Sequence, residues 1–265
     1  MSIQNKIIVI VFITLYSFGL IISKDFGISW DENARREGAK SHAKELVQLF
    51  GINHPIIDDI PAVKDNYNAY GGPYGMIYEF PALLFELING KEKTKETFLF
   101  RHKLIFTFYF IGIITFFLFS REIFYSNYRA IISTLIFASH PRIFAHGFFN
   151  PKDIIFLALV TMSLFPTVKY LKTKKYFWII IASIIIGIAM SCRIVGIYLA
   201  VLLFILYVTA CLRDEQLKTK KLYDHIISGS FILIISIFTL LVATPYFWSA
   251  PLDRLIDAFL RASRF

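Results

Sequence analysis

Residues 176–212 read YFWIIIASIIIGIAMSCRIVGIYLAVLLFILYVTACL, and the only charge among them is Arg193. A helix needs about 20 apolar residues, and at the least roughly 17, to cross the hydrocarbon core of a bilayer. The stretch therefore holds two crossings, 176–192 and 194–212, joined by a very short turn at Arg193. Backbone groups in lipid must be satisfied within their own segment, so runs of this kind read as helices. Working outward, the same test picks out 7–23, 104–119, 130–145, 154–170 and 226–244, which makes seven spans. At 56% hydrophobic and 17% aromatic over 265 residues, the chain is too apolar for an ordinary soluble domain. The expected fold is an all-α polytopic membrane protein with about seven transmembrane helices plus surface helices on the extracytoplasmic side.

The net charge of +9 follows membrane topology and implies no nucleic-acid partner. With the N-terminus in the cytoplasm, the inner loops carry Lys6, Arg121, Arg129, Lys169, Lys172, Lys174, Lys175, Arg213, Lys218, Lys220 and Lys221. The short outer loops carry only Arg142, Lys152 and Arg193. This is the positive-inside bias, and it places the long segment 24–103 outside. The first run resembles a signal sequence but reads as a retained anchor. Cys192 and Cys211 lie near opposite ends of one run, so they should sit at opposite membrane faces without a disulfide. The chain stops at Phe265 without a natural ending, which reads as the N-terminal portion of a longer protein.

The outer segment opens with Ser29-Trp30-Asp31-Glu32. Ser29 and Glu32 have the spacing of a capping box, in which the serine oxygen accepts a backbone N–H and the glutamate reaches back. A helix over 31–50 should follow. Its Arg35, Arg36, Lys40 and Lys44 should face water or headgroups, as in a helix lying on the membrane. Residues 67–75 (YNAYGGPYG) form a turn-rich aromatic stretch, and 76–87 is apolar but too short to span, hence interfacial or re-entrant. A second surface helix is expected in 245–265, where Leu252, Leu255, Ile256, Phe259 and Leu260 recur at helical spacing.

Two outer stretches carry chemistry. Asp31 can cap the helix dipole, or it can act as a general base or metal ligand at the lipid–water boundary. Glu32 has a sufficient structural role in the cap. The second stretch runs from His140-Pro141-Arg142 to Asn150-Pro151-Lys152-Asp153. Arg142, Lys152 and Arg193 are cations that can contact lipid phosphate or neutralise a phosphate leaving group, and Asp153 is a partner for Arg142 or Lys152. His140, His146 and Asp153 match no tight metal motif. Trp30, Tyr67, Tyr70, Tyr74 and Tyr78 can anchor at the interface or stack on a sugar or prenyl chain. Nucleotide-binding and soluble-hydrolase motifs are missing, so a transferase here would draw on a lipid-borne donor.

Taken in order against the topology, these motifs resemble the membrane-embedded GT-C glycosyltransferases, especially the protein O-mannosyltransferase-like family (glycosyltransferase family 39) and its bacterial relatives. The resemblance rests on Asp31-Glu32 after the first span, on Pro141-Arg142 through Lys152-Asp153, on Arg193, and on Pro245 with the helix beyond it. It covers nearly the whole chain, as one catalytic module over 1–265. It implies a hexosyl- or pentosyltransferase of the cell envelope, in a bacterial inner membrane with the site facing outward. The donor would be a polyprenyl-phosphate-linked sugar, and the acceptor a hydroxyl on protein, lipid or glycan. Asp31 would be the base, Asp153 and Glu32 would shape the site, and Arg142, Lys152 and Arg193 would bind the donor phosphate. A divalent metal ion stays an option, with Asp31, Asp153 and His146 as its ligands. A lysine motif of lipid A-modifying relatives has no counterpart in Gly71-Gly72-Pro73-Tyr74. Two other readings, a transporter or lipid flippase and a non-catalytic membrane assembly subunit, predict different features. A transporter usually places polar residues at the bilayer midplane and shows inverted repeats.

Overall fold

The computed structural model describes residues 3–49, 75–89, 94–213, 222–248 and 250–262. The described residues form helices and turns with no strand. In chain order the helices are α1 Ile3–Ile22, α2 Trp30–Leu49, α3 Met76–Asn89, α4 Lys95–Phe124, α5 Asn127–Ser139, α6 Pro141–Phe149, α7 Asp153–Thr173, α8 Tyr176–Cys192, α9 Ile197–Arg213, α10 Leu222–Ala243 and α11 Pro251–Ala262. Five of them are long and apolar enough to cross a membrane, and α8, at 17 residues, is a shorter apolar helix beside them. The expected all-α polytopic membrane fold is observed. The aromatic stretch 67–74 lies outside the described residues.

The third apolar run is not one helix. It breaks at His140, which has φ −56° and ψ 119°. Pro141 follows, and a proline pushes its predecessor out of the helical region. What remains is α5 of 13 residues, about 20 Å long, and the short α6. That length falls short of a hydrocarbon core of about 30 Å. The break turns α6 across the end of the bundle, where it delivers Asn150, Lys152 and Asp153.

Elsewhere the helix ends follow local chemistry. Thr94 caps α4 by accepting the Thr97 N–H at 3.3 Å. Tyr125 and Lys174 end α4 and α7 in the left-handed region, at φ 51° and 54°. Helices α4, α7, α8 and α10 form the tightly packed middle of the bundle. Small residues let their backbones approach: a Cβ at Gly187 would lie 2.5 Å from the Ser236 carbonyl. Ser236 Oγ donates to the Ser183 carbonyl at 3.1 Å across the same α8–α10 contact. Helices in lipid associate through close packing of this kind, because burial from water supplies little force there. Helix α1 packs more loosely, and an apolar cavity of about 470 Å³ runs between it, α4 and α5. Cys192 and Cys211 are both free and buried, as their placement at opposite ends requires.

Candidate active site

The two motif-bearing stretches meet at one end of the bundle. Phe26 stacks on Phe148 with ring centroids 4.2 Å apart. Ser29 Oγ donates to the Phe149 carbonyl at 3.1 Å, which ties the start of α2 to the end of α6. Only half of the capping box forms. The Ser29 N–H donates to Glu32 Oε1 at 2.7 Å, while the serine hydroxyl is used in the tertiary contact. The first turn of α2 is thus fixed against α6, and Asp31 is left exposed at its start.

The α6–α7 junction is organised by Asn150. Its Oδ1 accepts the Lys152 N–H at 3.0 Å and the Asp153 N–H at 2.8 Å, and its Nδ2 donates to His146 Nδ1 at 2.8 Å. The Asp153 carboxylate is ion-paired with the Arg193 guanidinium, which reaches over from the α8–α9 turn. Helix α3 joins the same region, because the Gly75 N–H donates to the Ser191 carbonyl at 2.9 Å. Asp31 and Arg35 lie within electrostatic reach of both Lys152 and Arg193. Partial burial, then the positive charge of Arg35 and Arg193, pulls the Lys152 ammonium below the ordinary lysine range, and Asp31 opposes that shift. Partial burial and Arg35 lower Arg193 in the same way, again against Asp31. The cations Arg35, Lys152 and Arg193 therefore lie close enough to disfavour one another's charge, and Asp31 offsets part of that cost. Arg193 Nε is buried with no hydrogen-bond partner among the described residues. An anion placed here would relieve the repulsion and accept charge-assisted hydrogen bonds.

Beneath this layer lies a dry one. Arg36 is wholly buried and donates to Glu86 at 2.6 Å. Arg101 pairs with Glu79, lies 3.9 Å from Glu86, and sits over the Tyr78 ring at 5.6 Å. Glu32 and His102, each 1% exposed, face one another at 3.3 Å. Burial pushes the Glu79 carboxyl up, against the pull of Arg101 and then Arg35. Arg35 and Lys40 are also buried, so the expectation that the basic residues of α2 face water or headgroups is corrected for Arg35, Arg36 and Lys40. The cause is α3, which packs on the charged face of α2 and carries two glutamates of its own. On the far side of α2, His42 meets the edge of Tyr246 at 6.0 Å, and Arg254 of α11 donates to the Tyr246 carbonyl.

Of the residues singled out by sequence, Asp31, Lys152, Asp153 and Arg193 come together, and Glu32 lies under them. Arg142 is exposed in the first turn of α6 and has no hydrogen bond or ion pair among the described residues. His146 is engaged by Asn150, and no three His, Cys, Asp or Glu among the described residues converge as a ligand set. Trp30 is 97% exposed, while Tyr78 is fully buried under Arg101 and cannot stack on a ligand. Sequence reading missed Arg35, Glu79, Glu86, Arg101 and His102. A signal was present: Glu79 and Glu86 stand seven apart, on one face of an apolar helix, and Arg101-His102 opens an apolar span. Ionisable residues inside apolar segments ordinarily face a partner or a cavity.

The model of one family, dolichyl-phosphate-mannose-protein mannosyltransferase, matches residues 76–242, more than half of the chain. No characterised protein and no solved structure matches it.

Proposed function

We propose that this chain, which belongs to the dolichyl-phosphate-mannose-protein mannosyltransferase family, transfers a sugar from a polyprenyl-phosphate donor to an acceptor hydroxyl. The family makes it an integral membrane glycosyltransferase of the GT-C type. The finer reading rests on one observation: the exposed Asp31 carboxylate lies within electrostatic reach of Lys152 and Arg193 at one end of the bundle. That end would be extracytoplasmic, with the N-terminus and the lysine-rich opposite end on the cytoplasmic side of a bacterial inner membrane.

In this reading Asp31 takes the proton of the acceptor hydroxyl as its oxygen attacks the anomeric carbon. The bond from that carbon to the phosphate oxygen breaks, and the polyprenyl phosphate leaves with the electron pair. Attack opposite the leaving group inverts the sugar carbon. Lys152 and Arg193 meet the charge that develops on the phosphate, and fixed donors of this kind contribute several kcal/mol in a dry site. Asp153 holds Arg193 in place, and Arg142, exposed on α6, is available to the donor headgroup. Because the described residues offer no converging ligand set, no step is routed through a divalent metal ion.

The test is transfer of radiolabelled sugar from polyprenyl phosphates in membranes containing the protein. Asp31→Asn keeps the size and a hydrogen-bonding group but cannot accept the proton. It should lower turnover by about 100-fold or more, the usual contribution of a general base. Equal transfer by wild type and Asp31→Asn would eliminate the proposed base.

A further inference from the structure

The chemistry proposed above needs Asp31 alone of the two adjacent acids, yet Glu32 is the one the fold encloses. Glu32 is 1% exposed, accepts the Ser29 N–H at 2.7 Å through Oε1, and faces His102 Nε2 at 3.3 Å from Oε1 and 3.2 Å from Oε2. His102 comes from α4, 70 residues away in sequence, and is 1% exposed. A carboxylate only accepts hydrogen bonds, so His102 Nε2 carries the hydrogen. His102 Nδ1 is buried with no partner among the described residues, so the imidazole is committed to Glu32. A buried imidazole with one unpaired nitrogen costs stability, and the half cap between the Ser29 N–H and Glu32 does not need it.

We infer that His102 is a positioning residue for the reaction: through Glu32 it locks the first turn of α2 and so aims Asp31 at the acceptor. Adjacent helical residues point about 100° apart. With Glu32 pinned inward by α4, Asp31 is turned outward, toward Lys152 and Arg193. Within the buried layer the neighbouring arginines are already engaged. Arg36 is taken by Glu86 and Arg101 by Glu79, while Tyr78 and Arg35 complete the charged and titratable wall around the pair. Released from His102, Glu32 would be free to swing toward solvent, and the first turn of α2 that carries Asp31 would lose its anchor on α4.

The inference rests on Asp31 being the base, and the experiment separates the two. His102→Leu removes the donor. His102→Gln places an amide N–H close to the position of Nε2, and His102→Asn, of similar polarity, places it too short. Sugar transfer is measured in membranes as a function of donor concentration, with folded protein quantified by size-exclusion chromatography and thermal unfolding. His102→Leu and His102→Asn should lose about tenfold or more in kcat, with donor KM within about twofold. His102→Gln should recover most of the lost kcat. A loss of folded protein with unchanged kcat per folded molecule in all three variants would mean a structural residue only. Full kcat in His102→Leu, alongside an inactive Asp31→Asn, would overturn the positioning role and leave the base intact. Full kcat in Asp31→Asn would instead remove the reading beneath it.

Discussion

Both ends of the bundle carry acids and bases, but only one end holds them dry. At the lysine-rich end, Glu122 meets Lys169 at 2.6 Å and Lys172 at 3.3 Å, with each lysine side chain 28% exposed. At the site end, Arg36, Arg101, Glu79 and Glu86 are all at most 1% exposed. Both ends pair acids with bases. The difference is that α2, α3, α6 and α11 lie across the site end, and no comparable helix among the described residues covers the other. Exposed pairs are screened by water and contribute little, whereas buried ones are costly to break. A lid of helices thus converts ordinary loop charges into a rigid electrostatic floor on which Asp31, Lys152 and Arg193 stand.

The sharpest way to break this contrast is Arg101→Met, which strands Glu79 while Glu86 keeps Arg36. Removing one partner of a buried ion pair costs about 3–5 kcal/mol, so a large fall in Tm in detergent is expected. Adding Glu79→Gln should restore part of it.

Acid should act next, through His42 at the site end. Burial, then the charge of Arg254, depresses His42 from 6.5 to about 3. Its folded-state value lies below the unfolded one. The stability that His42 contributes is therefore complete above pH 6.5 and drains away as pH falls toward 3. Between pH 7 and pH 5 the loss is about 2 kcal/mol. Unfolding midpoints measured against pH should show it, and His42→Leu should flatten the slope.

Lys152→Met should separate stability from function. The ammonium is charged at neutral pH in folded and unfolded chains alike, yet its folded-state value is lowered, so the fold bears the cost of the charge. Removing it should leave Tm unchanged or raised, while donor KM rises by about tenfold or more through loss of a charge-assisted hydrogen bond. A fall in Tm with unaltered KM would show Lys152 to be structural. The smallest effect belongs to the other end. Glu122→Gln should change stability by about 1 kcal/mol at most and leave transfer rates as they were. A large activity loss there would mean that the two ends are coupled.

Much of this was legible in the chain. Runs such as 154–170 and 194–212 read as membrane helices because lipid admits few alternatives. Asp31, Lys152, Asp153 and Arg193 were identifiable because topology sends their loops to one side. The third run misled, since its apolar length concealed the break that Pro141 imposes on His140. The basic face of α2 misled for another reason. Arg35, Arg36 and Lys40 look like a headgroup-facing stripe until α3 supplies Glu79 and Glu86 against them.

The sequence by itself determined the helical membrane fold, the side on which the charged loops gather and the acid pair that marks the site. Those features follow from local rules: apolar length, proline, caps and the distribution of lysine and arginine. The spacing of Ser29 and Glu32 already assigned Glu32 to the helix start and left Asp31 as the chemical candidate. Only the tertiary structure decided that Glu32 is enclosed against His102 of another helix while Asp31 stays exposed. The chain alone does not show that contact, because hydrogen bonds depend on approach in space.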